Sequence, residues 1–266
     1  MARIEVRGLT KTFQAIKGET VEAINDLSFD VGDNEFVSIV GPSGCGKSTL
    51  LYILAGFISP TAGQVLVDNR PVQGPGPDRG IVFQEYALFP WRTVADNIKY
   101  GLEEKRLPRD EIERIVHKYV RLMGLEGFQH KYPRELSGGM KQRVALARTL
   151  AYEPDVLLMD EPFGALDAQT RELQQDELLA VWREKKKTVL FVTHSVEEAV
   201  YLAERVFIMT TRPGRIKRVV DIGLDRSGHR EAIMTSPEFA SLRNRVWLDV
   251  REEVLKHYES VREAPR

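Results

Sequence analysis

Short, continuous apolar runs recur along the chain and are separated by longer stretches with helical periodicity. The runs that predict buried strands are residues 36–40, 79–84, 156–159, 188–193 and 206–209. Apolar runs of this length, bounded by turn residues, are typical of parallel strands that are buried on both faces by helices. The pattern therefore predicts an α/β core.

The first 35 residues follow a different pattern, in which apolar and polar positions alternate. Ile4 and Val6 flank the charged Glu5, and apolar positions 27, 29 and 31 are separated by polar ones. Strict alternation predicts half-buried strands. We therefore expect residues 1–35 to be rich in β-strands.

Helical periodicity takes over in two later parts of the chain. Between residues 108 and 124, five apolar positions fall on one helical face, and residues 86–155 as a whole are predicted to be a helical insertion in the core. Beyond Asp225 the chain is polar and helix-prone. There an apolar stripe that runs from Trp247 to Tyr258 predicts a helix packed on the rest of the protein.

Composition narrows the class of protein. The 266 residues are 42% hydrophobic, and 38 Lys and Arg balance 39 Asp and Glu, so no basic field indicates nucleic acid as a partner. The single cysteine, Cys45, excludes an intramolecular disulfide. No apolar run approaches the ~20 residues that a membrane-spanning helix needs. We expect a cytosolic protein that can sit on a membrane-bound partner.

The most informative stretch lies between the first buried run and the helix that follows it. It consists of Gly41, Pro42, Ser43, Gly44, Cys45, Gly46, Lys47, Ser48 and Thr49. Glycines let backbone N–H groups approach phosphates closely, and the following helix points the positive end of its dipole at them. Lys47 adds a cation, and the Ser48 hydroxyl can ligate Mg²⁺. The stretch predicts a nucleoside triphosphate site; a glycine-rich turn between a strand and a helix is the structural alternative.

Polar residues end three of the predicted strands. Gln84, Asp160 with Glu161, and His194 follow runs whose carboxyl ends meet at one edge of a parallel sheet, where ligands bind. Adjacent strand residues face opposite ways, so we expect Asp160 to reach a metal and Glu161 to reach the attacking water. Taken singly, a Gln or His at a strand end is more often structural.

Two further features fit an anion site but are weak alone. Ser137 is a good N-cap, and Gly138 and Gly139 leave the backbone of the next helix open. Asp167 is a plausible N-cap for the helix that follows. Phe13, between the first two predicted strands, either packs against its neighbours or stacks on an adenine ring.

Together these residues resemble the nucleotide-binding subunit of an ABC transporter over residues 3–222. The motifs are Walker A (41–49), the Q-loop (Gln84), the signature (136–142), Walker B (156–161), the D-loop (165–167), the switch histidine (His194) and the A-loop aromatic (Phe13). The resemblance implies a P-loop NTPase core of the ABC type, with an antiparallel β subdomain and an inserted α-helical subdomain. Residues 1–222 would form the ATPase domain and 223–266 a C-terminal helical extension.

The resemblance also implies a mechanism. Two copies form a head-to-tail homodimer that holds ATP and Mg²⁺, with Ser137, Gly138, Gly139 and Asp167 acting in trans. Glu161 would polarise water and His194 would position it. The metal would be held by Ser48, Gln84 and Asp160.

Residues 76–84, 88–91 and 209–216 resemble the nitrate, sulfonate and taurine branch of bacterial importers. This implies a separate transmembrane permease, an extracytoplasmic substrate-binding protein and a small anionic or sulfonate cargo. It also implies a peripheral location on the cytoplasmic face of the inner membrane. Exposed aromatics at Phe89 and Trp91 would fit the permease contact.

Three alternatives remain open from the sequence. A soluble ABC ATPase could act on nucleic acid or ribosomes, although the coiled coils, zinc modules or fused cassettes usual in that class are not evident. A separate-subunit exporter ATPase is a second possibility. A nucleotide-binding switch without turnover is a third, and Glu161 and His194 argue against it.

Overall fold

The computed structural model describes residues 3–14 and 20–263, and the side chains among them as far as residue 259. The strands, in chain order, are β1 (Ile4–Gln14), β2 (Thr20–Val31), β3 (Phe36–Val40), β4 (Ala62–Val67), β5 (Arg70–Pro71), β6 (Arg79–Val82), β7 (Val156–Asp160), β8 (Thr188–Val192), β9 (Arg205–Met209) and β10 (Ile216–Asp221). The helices are α1 (Lys47–Leu54), α2 (Val94–Glu104), α3 (Arg109–Leu122), α4 (Gly138–Ala151), α5 (Ala168–Lys185), α6 (Val196–Leu202), α7 (Arg230–Met234) and α8 (Pro237–Glu263).

The chain divides into two compact units. The first contains the residues up to Gly76 and those from Lys186 onward, and the second contains Pro77–Lys185. The second unit therefore includes β6, β7 and all of the chain predicted to be a helical insertion, whereas the first includes α7 and α8.

An antiparallel sheet in the order β2-β1-β4-β5 lies in the first unit. β1 and β2 are longer than the alternating apolar positions predicted. The reason lies in the pairing of the two strands, which has register shifts between Val6 and Leu9 and again on either side of Lys11. Such bulges interrupt the two-residue period while pairing continues. The predicted antiparallel subdomain is confirmed, but its length was underestimated.

The first unit also contains parallel strands. β3 lies between β8 and β9 and pairs in parallel with both, and β10 pairs antiparallel with β9. Every residue of β3 and β8 is buried, as continuous apolar runs predict. α1 contacts β8, while α6 contacts both β3 and β9.

The second unit combines one parallel strand pair with helices. β6 and β7 pair in parallel over four residues, from Arg79 with Val156 to Val82 with Met159. α4 packs on α2, α3, α5 and β6, and nine of its residues are buried. This helix is therefore the centre of the unit, and it contains no acidic residue.

The C-terminal helix α8 packs differently from the prediction. Trp247 and Tyr258 are exposed, whereas Val246, Asp249 and Glu253 are buried. The predicted apolar stripe is therefore wrong for these two aromatics. Two carboxylates occupy the buried face because cationic side chains of β10 pair with them. Among the described residues, no helix is both long enough and apolar enough to cross a membrane.

Candidate nucleotide site

The loop between β3 and α1 is held very close to its neighbours in the first unit. Gly44 and Gly46 have φ angles of +75° and +100°, which non-glycine residues rarely adopt. A Cβ atom built at Gly46 would lie 2.9 Å from the carbonyl oxygen of Ala23 in β2. These two positions therefore require glycine, and the loop backbone lies directly against β2.

Lys47 places its charge at the centre of this loop. Its side chain is only 6% exposed, and Nζ donates to the carbonyl oxygens of Gly41 at 2.9 Å and Pro42 at 3.0 Å. The outer surface of the loop is open, since Ser43, Gly44 and Ser48 are all exposed. A buried cation below an exposed helix N-terminus is an arrangement that can bind a phosphate group.

Cys45 lies beneath the same loop. It is buried, and its sulfur is 3.8 Å from Lys47 Nζ. Burial raises the pKa of the Cys45 thiol, and the charge of Lys47 opposes this rise without cancelling it. The thiol is therefore protonated and unreactive at neutral pH.

Phe13 and His194 also belong to the first unit. Phe13 lies within β1 and not between two strands as predicted, with its ring 40% exposed and Lys11 Nζ 5.0 Å from the ring centroid. His194 follows β8 and is exposed at a cleft of about 530 Å³ that Arg243 and Trp247 also line. Next to it, Ser195 caps α6 by accepting from the Glu198 N–H at 3.2 Å.

In the second unit, the end of β7 brings two predicted residues together. Gln84 Nε2 lies 3.5 Å from Glu161 Oε2, a long contact at the limit of hydrogen bonding. Asp160 is the last residue of β7 and is buried, whereas Glu161 is half-buried.

The backbone conformation of Glu161 differs from that of a strand residue. Glu161 lies beyond the strand and has a φ of +44°, in the left-handed region. The alternation of strand faces therefore does not extend to Glu161, because the backbone leaves the extended conformation after Asp160. The left-handed conformation costs a non-glycine residue about 1–2 kcal/mol, and such strain is concentrated at functional sites.

The glycine-rich start of α4 has the predicted cap. Ser137 Oγ accepts from the Met140 N–H at 3.3 Å, and a Cβ at Gly139 would lie 2.7 Å from Thr170 Cγ2 in α5. Thr170 in turn donates its N–H to Asp167 Oδ1 at 3.0 Å, and this bond lowers the pKa of Asp167. Thr170 thus joins the signature glycine to the D-loop carboxylate, a link that the sequence analysis missed.

The predicted site residues are divided between the units. The first unit holds Phe13, the loop 41–49 and His194, and the second holds Gln84, Ser137, Gly138, Gly139, Asp160, Glu161 and Asp167. Arg212 also contacts this loop in the first unit, where its guanidinium donates to the Gly44 carbonyl, a contact that the sequence does not predict.

The possible metal ligands suit a nucleotide-bound Mg²⁺ better than an independent metal site. Within residues 3–14 and 20–263, no group of three or more His, Cys, Asp or Glu could hold a metal. Ser48, Gln84 and Asp160 instead offer a hydroxyl, an amide and one carboxylate. Mg²⁺ accepts such sparse oxygen ligands because phosphates and water complete its shell.

Comparison with known proteins agrees with this architecture. The ABC transporter family model matches residues 24–164. An uncharacterized ABC transporter ATP-binding protein of Methanocaldococcus jannaschii is 53% identical over 96% of this chain and 93% of its own length. The dimeric structure of a bacterial ABC transporter cassette has a TM-score of 0.74 and 34% identity, covering 82% of this chain and 98% of the cassette.

Two relatives have names that state a transport role. The nitrate import ATP-binding protein NrtD of Synechococcus elongatus is 49% identical over 88% of this chain and 86% of its own. The taurine import ATP-binding protein TauB of Roseobacter denitrificans is 44% identical over 96% of this chain and 97% of its own. This chain belongs to the ABC transporter family of ATP-binding proteins, and it is an ATPase of the P-loop ABC type.

The environment of Cys45 generates a prediction about its reactivity. Because burial keeps the thiol protonated and covered, alkylation by iodoacetamide at pH 8 should be at least about tenfold slower in the folded protein than in urea. Mass spectrometry would follow the single adduct, since the chain has one cysteine. Equal rates in the folded and unfolded protein would contradict the buried placement of Cys45.

Proposed function

We propose that this protein is the ATP-hydrolysing subunit of an importer of the nitrate, sulfonate and taurine type. The observation that carries the proposal is the similarity to nitrate and taurine import ATPases at 49% and 44% identity over most of the chain. It is supported by a loop whose buried Lys47 and open rim suit the phosphates of ATP. The ATPase would act as a head-to-tail homodimer on a separate permease.

ATP binding would use the loop 41–49 directly. Backbone N–H groups of the loop and the N-terminus of α1 would surround the β- and γ-phosphates, with the ammonium of Lys47 beside them. Lys47 would have to exchange its two carbonyl acceptors for phosphate oxygens, a short movement within the same loop. The exposed ring of Phe13 would stack on the adenine.

Hydrolysis would depend on positioned polar groups. The Glu161 carboxylate would orient and polarise the attacking water, and His194 would hold that water or the γ-phosphate in line. Mg²⁺, held by Ser48, Gln84 and Asp160, would neutralise charge on the phosphates. Contact between Gln84 and Glu161 supports this assignment, because a metal ligand and a water-orienting group must lie close together.

Dimerisation would complete each site. Ser137 and Asp167 are exposed, and Gly138 beside them is half-buried, so the start of α4 and the D-loop can be reached by a second molecule. Ser137, Gly138, Gly139 and Asp167 would then contact ATP bound to the partner. A solved cassette of this family is dimeric, and another dimeric structure of it holds ADP and phosphate.

A surface around the aromatic residues of the second unit would receive the permease. Trp91 is 72% exposed, whereas Phe89 is half-buried, so the expectation that both are exposed is wrong for Phe89. Phe89 instead packs on Tyr100 with ring centroids 4.6 Å apart, and Arg92 lies over both rings. The packed rings of Phe89 and Tyr100 would therefore support the exposed indole of Trp91 at the permease contact.

The permease and an extracytoplasmic binding protein would select a small anion or sulfonate. This subunit would be peripheral at the cytoplasmic face of the membrane and would have no nucleic acid partner.

Replacing Glu161 should separate hydrolysis from binding. Glu161→Gln retains the size of the side chain but loses the charge that polarises water, so ATP turnover should fall by about 10²-fold or more while ATP affinity stays near wild type. Lys47→Ala is the contrasting variant and should weaken ATP affinity because the loop loses its cation. Steady-state hydrolysis and calorimetry measure the two effects. Near wild-type turnover in Glu161→Gln would exclude its proposed role.

The transport assignment can be tested by co-purification from membranes in mild detergent. We expect a multi-span permease in stoichiometric amount by mass spectrometry, and we expect Trp91→Ala to lose it while keeping basal ATPase activity. Trp247→Ala is the matched control, since Trp247 is also an exposed tryptophan but lies on α8. Recovery only with ribosomes or DNA-bound proteins would refute the transporter assignment.

A further inference from the structure

The C-terminal helix α8 buries charge within the first unit. Glu253 is 2% exposed and Asp249 is 7% exposed, and both pair with cationic side chains of β10. Burying a carboxylate is costly unless cations and hydrogen bonds compensate it. The contacts of these two groups therefore show what the helix holds in place.

Glu253 is compensated by two lysines and one backbone group. Its Oε1 lies 3.0 Å from Lys217 Nζ and 2.9 Å from Lys256 Nζ, and its Oε2 accepts from the Thr211 N–H at 3.1 Å. Burial opposes ionisation, but these partners outweigh it and hold the pKa of Glu253 below its ordinary value. Asp249 pairs with Arg218 of β10 at 2.9 Å.

The backbone that Glu253 holds belongs to the segment 210–215, which we call the β9–β10 loop. Thr210 Oγ1 donates to the Pro213 carbonyl at 3.0 Å and accepts from the Arg215 N–H at 3.0 Å. Hydrogen bonds therefore join the first residue of the loop to residues at its end. Thr211 Oγ1 also lies 3.2 Å from Nδ1 of His257 in α8. Helix α8 thus contacts this loop through two of its side chains, Glu253 and His257.

The other side of the β9–β10 loop contacts residues 41–49, which we call the phosphate loop. The Gly214 N–H donates to the Ala23 carbonyl at 2.9 Å, and a Cβ at Gly214 would be 2.1 Å from the carbonyl oxygen of Cys45. Arg212 is exposed, and its Nε and Nη2 donate to the Gly44 carbonyl at 3.3 and 3.2 Å. A continuous set of contacts therefore runs from Glu253 through Thr211 and Arg212 to Gly44.

We propose that Arg212 and Glu253 are positioning residues for ATP binding. Glu253 fixes the backbone at Thr211, and the adjacent Arg212 then holds the carbonyl of Gly44, which stabilises the left-handed turn of the phosphate loop before the nucleotide arrives. Neither residue needs to touch ATP. The inference rests on the proposed role of residues 41–49 as the ATP site, and it gives the C-terminal helix a part in nucleotide affinity.

The test measures ATP affinity and the KM and kcat of hydrolysis in the full-length protein. Arg212→Ala should raise Kd and KM for ATP by about tenfold with kcat within about twofold, because a preorganising contact affects binding more than the chemical step. Glu253→Ala should raise them about threefold to tenfold. Since both residues act through one loop, the double variant should resemble Arg212→Ala alone and not show the product of the two effects.

Matched controls lie beside each residue. Arg215→Ala removes an exposed arginine from the same loop, and Glu252→Ala removes an exposed carboxylate that pairs with Lys217 and Lys256 but does not contact the loop backbone. Both should leave ATP affinity within about twofold of wild type. Arg212→Lys and Glu253→Gln should recover part of the lost affinity, because each retains one of the hydrogen bonds.

The outcomes separate this inference from the proposed function. Unchanged affinity in Arg212→Ala and Glu253→Ala, combined with weak binding in Lys47→Ala, would overturn the positioning role alone. Unchanged affinity in Lys47→Ala would overturn the ATP site itself. The positioning role would also be overturned if the control variants lost as much ATP affinity as Arg212→Ala and Glu253→Ala, or if the effects of the two substitutions multiplied in the double variant. If Glu253→Ala does not fold, Glu253→Gln and the Arg212 variants carry the test.

Discussion

The close approach of backbone to backbone around residues 41–46 is the constraint on which the rest of the structure depends. A triphosphate can be surrounded by N–H groups only where side chains are absent, and Gly46 lies against Ala23 with no room for a Cβ. The strands β2 and β9 supply surrounding backbone, through the carbonyl oxygens of Ala23 and Met209. Lys47 lies beneath the loop and donates to the carbonyl oxygens of Gly41 and Pro42. These two carbonyls converge on the ammonium group only when the loop is folded.

Much of this arrangement could be predicted from the sequence. The buried strands and the phosphate loop have local signals, since continuous apolar runs and the spacing of Gly41, Gly46 and Lys47 depend on neighbouring residues only. The cap at Ser137 is local for the same reason. These predictions succeeded because the interaction that stabilises each feature spans only a few positions.

Other features depend on contacts that the sequence does not display. The left-handed conformation of Glu161 cannot be recognised from residue type, because non-glycine residues rarely adopt it. The sequence does not predict the buried face of α8, because Asp249 and Glu253 are ordinarily surface residues and their burial depends in part on pairing with Lys217 and Arg218, more than 30 positions away. The sequence predicts an exposed Phe89 because the packing of this ring on Tyr100 crosses the turn before α2.

We propose that two copies of this chain must enclose ATP for it to be hydrolysed. Light scattering of the Glu161→Gln variant with saturating ATP and Mg²⁺ tests this claim most directly, with Lys47→Ala as the control that should stay monomeric. A shift from 30.3 kDa to about twice that mass on adding ATP is the expected result. A mass that stays at the monomer value at saturating ATP, in a protein that calorimetry shows to have bound the nucleotide, would contradict the claim.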